Sequence, residues 1–169
     1  MNLFMIFIAS GGVTGLIFIF YYNRLARSKV AVQEAYSGIK VQLEKRYEVI
    51  PKLESLMRED SDHELNLIKS LGKWKSKSEN SSGAPGRASA EQQFSNALQQ
   101  IFSSENNSDQ FRELRISIEK TEKEIEMAVR YYNALVREFN TKCEVVPTAL
   151  VAALLRFRKM EYFEKDLQA

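Results

Sequence analysis

The chain has 169 residues, with 24 Lys+Arg against 22 Asp+Glu, one His and one Cys. That length fits one domain of ordinary size. A formal net charge of +2 is too small for a dedicated nucleic-acid binder, and one His with one Cys excludes the common four-ligand zinc sites and any disulfide within the chain. The charges are placed unevenly, since none precedes Arg24.

Leu3 to Tyr22, LFMIFIASGGVTGLIFIFYY, is uncharged, and about 20 such residues in a helix match a bilayer core of about 30 Å. Backbone groups in hydrocarbon must bond within the segment, so a helix is expected. A secretory signal would need a basic start, a shorter apolar core and a small-residue cleavage site. Met1 and Asn2 bring no charge, Ser10 to Gly12 lie mid-segment, and Leu16 to Tyr21 continue apolar or aromatic. An uncleaved anchor over residues 1–23 is therefore expected. Arg24, Arg27 and Lys29 follow it directly, which by the positive-inside rule puts the N-terminus outside and residues 24–169 in the cytoplasm. Tyr21 and Tyr22 fall at the inner headgroup level and join these three cations as expected lipid contacts. Gly11 and Gly15 form a G-x-x-x-G whose spacing lets two membrane helices approach closely, although glycine is common in such helices in any case.

After the anchor the pattern is helical throughout, with no strand-type alternation. Leu25, Val32, Tyr36, Ile39, Leu43, Tyr47 and Ile50 share one face and continue the anchor without a turn signal. Pro51 interrupts this run, because it lacks an N–H and clashes with the preceding turn. The residues leave open whether the helix kinks there or the chain reverses. The stretch 51–77 is helical in composition, with Leu53, Leu56, Leu65, Ile68 and Leu71 apolar. Residues 78–88, SENSSGAPGRA, are expected to form a flexible loop. Ser89 with Gln92 fits a capping box opening a helix through Phe102, with Phe94, Leu98 and Ile101 or Phe102 inward.

Residues 103–108 form the next expected loop, and Ser108 or Asp109 is the expected N-cap of a long helix. From Phe111 to Phe139 the positions Phe111, Leu114, Ile118, Thr121, Ile125, Ala128, Tyr132, Leu135 and Phe139 advance by alternating steps of three and four. A period of about 3.5 residues defines a helix packed in a left-handed bundle. Val129, Val136 and Cys143 widen the apolar face, and the face from Glu119 to Glu126 is charged. Pro147 ends the helix, and a short apolar helix is expected over residues 148–157. The fold class is all-α: a single transmembrane helix continuing into an antiparallel, up-and-down four-helix bundle with a short C-terminal helix.

No catalytic constellation emerges. A di-metal carboxylate bundle needs two Glu-x-x-His pairs, and the chain has only His63, set in a polar string expected to be a solvated face. Cys143 lies on an apolar stripe, where a buried, inert thiol is expected. Gly83 and Gly86 lack the G-K-[ST] of a phosphate loop. The chain is expected to be no enzyme and to hold no metal or cofactor. Lys69, Lys73, Lys75 and Lys77 surround Trp74. If the chain turns back at Pro51, Lys73, Trp74 and Lys75 return near the anionic inner leaflet, where each Lys adds about 1 kcal/mol. The plainer account is a basic last turn favoured by the helix dipole. Asn133 and Asn140 share one face, where a register role in the bundle is expected over partner recognition. Arg46 and Tyr47 are expected to form a packed corner.

The stretch from Asn23 to Leu53, directly after the anchor, resembles the N-terminal signature of the LemA family, a YN-x-L start followed by Q-L-x-R-R-x-D-L-I-P-N-L. Tyr22, Asn23, Leu25, Gln42, Leu43, Arg46, Tyr47, Ile50, Pro51 and Leu53 carry the match. Thr121, Glu122, Ile125, Ala128, Tyr132 and Asn133 match the family's T-E-x-x-I-x-x-A-x-x-x-Y-N, Asn140 and Thr141 a second YN-T, Pro147 its F-P, and Tyr162, Phe163 and Glu164 its closing F-F-E. The chain departs at Glu48, Val49 and Lys52, and at Leu155-Arg156-Phe157 where the family more usually has G-F. The resemblance implies a bacterial-type, single-anchor four-helix bundle, supports reversal near Pro51, and brings no established enzymatic activity. Some relatives belong to the magnetosome membrane.

The function expected from this reading is a membrane-anchored, non-enzymatic helical scaffold or adaptor at the bacterial inner membrane. It would self-associate as a homo-oligomer, aided by the apolar residues 148–155, and meet the bilayer and unidentified membrane or cytoplasmic proteins, with no nucleic acid. A membrane-remodelling or organelle-membrane assembly factor, and an accessory subunit of a membrane enzyme, are the alternatives.

Overall fold

Residues 2–47 form one helix, α1 (Asn2–Tyr47). It is sustained past the apolar stretch by Leu, Ala, Gln, Glu, Lys and Arg, which lose little on entering a helix. The structure is a computed structural model that describes residues 2–56, 62–103 and 108–163, with the side chains at 2–6, 9 and 62–64 outside the description. Among the described residues there are helices and no strands. After α1 come α2 (Val49–Leu56), α3 (Asp62–Glu79), α4 (Gly83–Ser103), α5 (Asp109–Glu144) and α6 (Thr148–Leu154).

The expected anchor at residues 3–22 is helical and only partly described. Among the described residues no helix is long and apolar enough to cross a membrane. The described side chains are nonetheless bare, with Phe7 76%, Leu16 70% and Phe20 62% exposed.

The chain divides into two compact units, residues 1–35 with 134–160 and residues 36–133 with 161–169. In the first unit α1 and α5 are antiparallel neighbours, joined where Lys142 Nζ donates to Ser28 Oγ at 3.2 Å. Leu25, Val32, Val136, Phe139, Val151 and Ala152 are buried there. The Phe157 ring stands 6.4 Å from the rings of both Tyr22 and Phe139, with the Lys29 ammonium 5.8 Å from its centre.

In the second unit the pairings set the direction of each helix. Tyr36 Oη donates to the Gly83 carbonyl at 3.4 Å and Arg46 Nη1 to Ser95 Oγ at 2.9 Å, so α4 runs parallel to the end of α1. Arg46 meets Glu122 while the Tyr36 and Tyr132 rings lie 5.6 Å apart, so α5 runs antiparallel to both. α3 packs on α4 across a short turn, and the order is up, down, up, down. The inward stripe of α5 is buried as its spacing demands, with Phe111, Leu114, Ile118, Ile125 and Tyr132 all inaccessible.

Several local expectations are corrected. The helix breaks at Glu48, and Pro51 sits inside α2, in the first turn where a missing N–H costs nothing. The chain has turned back by Ser78, whose hydroxyl lies 3.0 Å from Tyr47 Oη. The connection between α2 and α3, like the side chain of His63, is outside the described residues. Residues 78–88 are not a loop: α3 runs to Glu79 and α4 starts at Gly83. Gly83 takes a left-handed φ of +85° to turn the chain, and Pro85 occupies the first turn of the new helix. Ser89 therefore lies within α4 and caps nothing. Ser108 does cap α5, accepting from Phe111 N at 3.2 Å. Of the apolar residues in 51–77, Leu53, Ile68 and Leu71 are buried and Leu65 is 43% exposed.

The last helix ends at Leu154 rather than at residue 157. Arg156 N donates to the Ala153 carbonyl at 3.3 Å and Phe157 N to the Ala152 carbonyl at 2.9 Å, with Arg156 at φ 55°. This is a Schellman C-cap with an arginine at the position glycine favours.

Candidate functional site

Three arrangements of polar side chains stand out. The first is a basic collar in the first unit. Arg24, Arg27 and Lys29 are exposed on α1, about one to two and a half turns after Phe20. Tyr21 is half-buried, and Tyr22, 43% exposed, stacks edge-on against Phe157. The structure brings Lys142 of α5 to the same place, a contribution the sequence reading missed because 114 residues separate it from Ser28. Gly11, Gly12 and Gly15 face open space, with nothing within 4 Å of a methyl group built on each.

The second is a buried charge cluster in the second unit. The Arg46 side chain is 1% exposed and lies between two carboxylates, ion-paired with Glu91 and bonded to Glu122 Oε1 at 2.7 Å. Its guanidinium sits 4.6 Å from the centre of the Phe94 ring. Tyr47 Oη donates to Glu91, and burial pushes its pKa up. These groups pair with one another, and Arg46 Nε is left without a hydrogen-bond partner among the described residues. They complete a packed corner whose charged half is Glu91, and Glu122 is drawn out of the solvated face where the sequence placed it. A signal for both existed. Arg46 lies three residues after inward Leu43, and Glu91 three before inward Phe94, so the helical period itself carries each of them inside.

The third is a pair of asparagine forks. Asn133 Nδ2 donates to the Phe163 carbonyl at 3.0 Å while its Oδ1 accepts from Phe163 N at 2.8 Å. Asn140 treats Met160 in the same way, at 2.9 and 2.8 Å. Tyr132 Oη adds a bond to the Glu161 carbonyl at 2.8 Å. The two asparagines hold the non-helical C-terminal segment on α5, a role beyond the helix register expected of them.

The other candidate residues fall apart. Lys73 and Lys77 are exposed and hold their ammonium groups 5.5 and 5.0 Å from the ring of half-buried Trp74. Lys75 turns away from it, toward Glu79 at 3.7 Å and the Tyr47 ring. Cys143 is half-buried, and desolvation raises its pKa, which keeps it a protonated, poor nucleophile near neutral pH. Among the described residues no group of three or more His, Cys, Asp or Glu is placed to hold a metal ion.

Against known proteins, the family model described as the LemA family matches residues 35–169. The matched part contains the Arg46 corner and both asparagine forks, whereas Tyr22, Asn23 and Leu25 of the N-terminal signature precede it. No curated protein matches the chain.

Proposed function

The chain belongs to the LemA family, and from that membership we propose that it is a membrane-anchored, non-enzymatic helical scaffold. The observation that carries this reading is the start of α1. An uncharged apolar helix leaves Phe7, Ile8, Val13, Leu16, Ile17, Ile19 and Phe20 more than half exposed and then passes directly into Arg24, Arg27 and Lys29. Large apolar side chains grouped on one bare helix mark a surface that water does not cover in the functional state. The collar orients the helix by the positive-inside rule, with the family-matched helices on the cytoplasmic side.

Self-association rests on two further features. The glycine face at Gly11, Gly12 and Gly15 is open, and Val146, Leu150 and Leu154 are 69%, 66% and 70% exposed around α6. Lys73, Lys77 and Trp74 add a surface for salt-sensitive attraction to anionic lipid. The absence of a nucleophile or metal cluster from the sequence pattern supports a scaffold over an enzyme.

Alkaline carbonate extraction of membranes tests the anchor. Wild-type protein is expected in the pellet, and Ile8→Lys/Ile17→Lys, with two charges in the apolar stretch, in the supernatant. Wild-type protein released by carbonate would end the reading.

A further inference from the structure

We propose that the cleft between α1 and α5 in the first unit binds the phosphate of an anionic phospholipid headgroup. The cleft encloses about 550 Å³, within the range of ordinary small-ligand sites. Its wall carries Arg24 and Arg27 from α1 and Lys142 from α5, with Ser28, Glu138 and Phe20 beside them. Arg24 and Arg27 lie three residues apart and so share one helix face.

Among the described residues neither arginine has an ion-pair partner, while Lys142 is already engaged by Ser28 at 3.2 Å and by Glu138 at 2.6 Å. Glu138 offsets one of the three cations, and the wall keeps two positive charges. Two guanidinium groups at this spacing suit a phosphate, whose oxygens accept paired N–H bonds from each planar fork.

The position selects the lipid over free phosphate as the source. Phe20 closes the cleft on the side of the uncharged stretch, and Arg24 follows about 6 Å further along the helix. A headgroup phosphate held by the arginines would leave its glycerol and chains directed toward Phe20, a surface that inorganic phosphate leaves unused. This inference rests on the anchored reading and goes beyond a basic collar, because it requires Lys142 and Glu138 of α5.

Native mass spectrometry of the full chain in a neutral detergent, with phosphatidylglycerol and phosphatidylcholine supplied equally, reads the site. Retained phosphatidylglycerol is expected to exceed phosphatidylcholine. It should fall about fivefold in Lys142→Met and about thirtyfold in Arg24→Gln/Arg27→Gln, at the attraction each basic residue adds near anionic lipid. Lys120→Gln, an exposed cation of the second unit outside the cleft wall, should retain it as wild type does. Glu138→Gln should raise retention, a gain that a folding defect cannot produce. No preference between the lipids, or equal loss in Lys120→Gln and Lys142→Met, would overturn the cleft while the protein still resists carbonate. Displacement of phosphatidylglycerol by inorganic phosphate at equal concentration would overturn the lipid assignment. Release by carbonate would instead overturn the anchor.

Discussion

Asn133 and Phe163 exchange two hydrogen bonds, with the asparagine amide presenting to the Phe163 backbone the donor and acceptor of a neighbouring peptide. Asn140 does the same for Met160. The side chain of Phe163 is 1% exposed, and its burial adds to the fork.

Asn133→Ala is expected to remove both bonds and to release the segment, at a cost of about 1–3 kcal/mol for the backbone groups left unpaired. Asn133→Asp should recover part of the loss, since its carboxylate still accepts from Phe163 N but cannot donate to the carbonyl. Amide hydrogen exchange at Phe163 measures this directly, and unchanged protection in Asn133→Ala would refute the fork's role.

Arg46→Ala would leave Glu91 as a buried charge without its ion-pair partner, and such losses cost about 3–5 kcal/mol. Removing both charges in Arg46→Met/Glu91→Leu is expected to cost far less than the sum of the two single changes, because a well-packed apolar pair replaces the ions without leaving either alone. Thermal unfolding of the four proteins in a mild detergent closes the cycle. Additive effects would show that the two side chains do not act as a pair.

Tyr132 has its pKa pushed up from 10.0 to about 12, mainly by burial and then by Tyr36 and Glu161. The unfolded chain loses this proton from pH 10 onward while the folded chain keeps it. The stabilising contribution is therefore complete below pH 10 and is lost as pH rises toward about 12. Tyr132→Phe should flatten the fall in melting temperature across that window. An equally steep fall in the variant would assign it to other groups.

Arg156 and Gly83 make an opposed pair, both at positive φ, of 55° and 85°. Arg156→Gly places the unhindered residue at the left-handed cap and is expected to stabilise by about 1 kcal/mol. Gly83→Ala should destabilise by a similar amount or more, since its new methyl would also stand 3.1 Å from Glu161 Oε2. Paired melting curves decide both. Arg156 occupies the place where the family more usually has glycine, so that departure keeps the backbone turn and gives up its least strained residue.

Helix identity was legible wherever the apolar period was long. The stripe from Phe111 to Phe139 anticipated the buried face of α5, and Leu25 to Tyr47 that of α1, because burial of a fixed face leaves a repeating mark along the chain. The glycines and proline at 83–86 misled because composition alone cannot separate a loop from a helix start that begins with a left-handed glycine. Arg46 and Glu91 were legible as positions and not as partners, since a charge on an inward stripe becomes interpretable only once its counter-charge is located.

The sequence by itself determined the all-helical class, the charge asymmetry at Arg24, the long period of α5 and the family. Each is a local or periodic property, written within a few turns of chain. Only the tertiary structure decided that Arg46 lies between Glu91 and Glu122, that the asparagine forks hold the C-terminal segment, and that Lys142 joins Arg24 and Arg27 at one cleft. Those relationships join residues that helix packing alone brings within hydrogen-bond or charge range. Sequence spacing has no term for that distance.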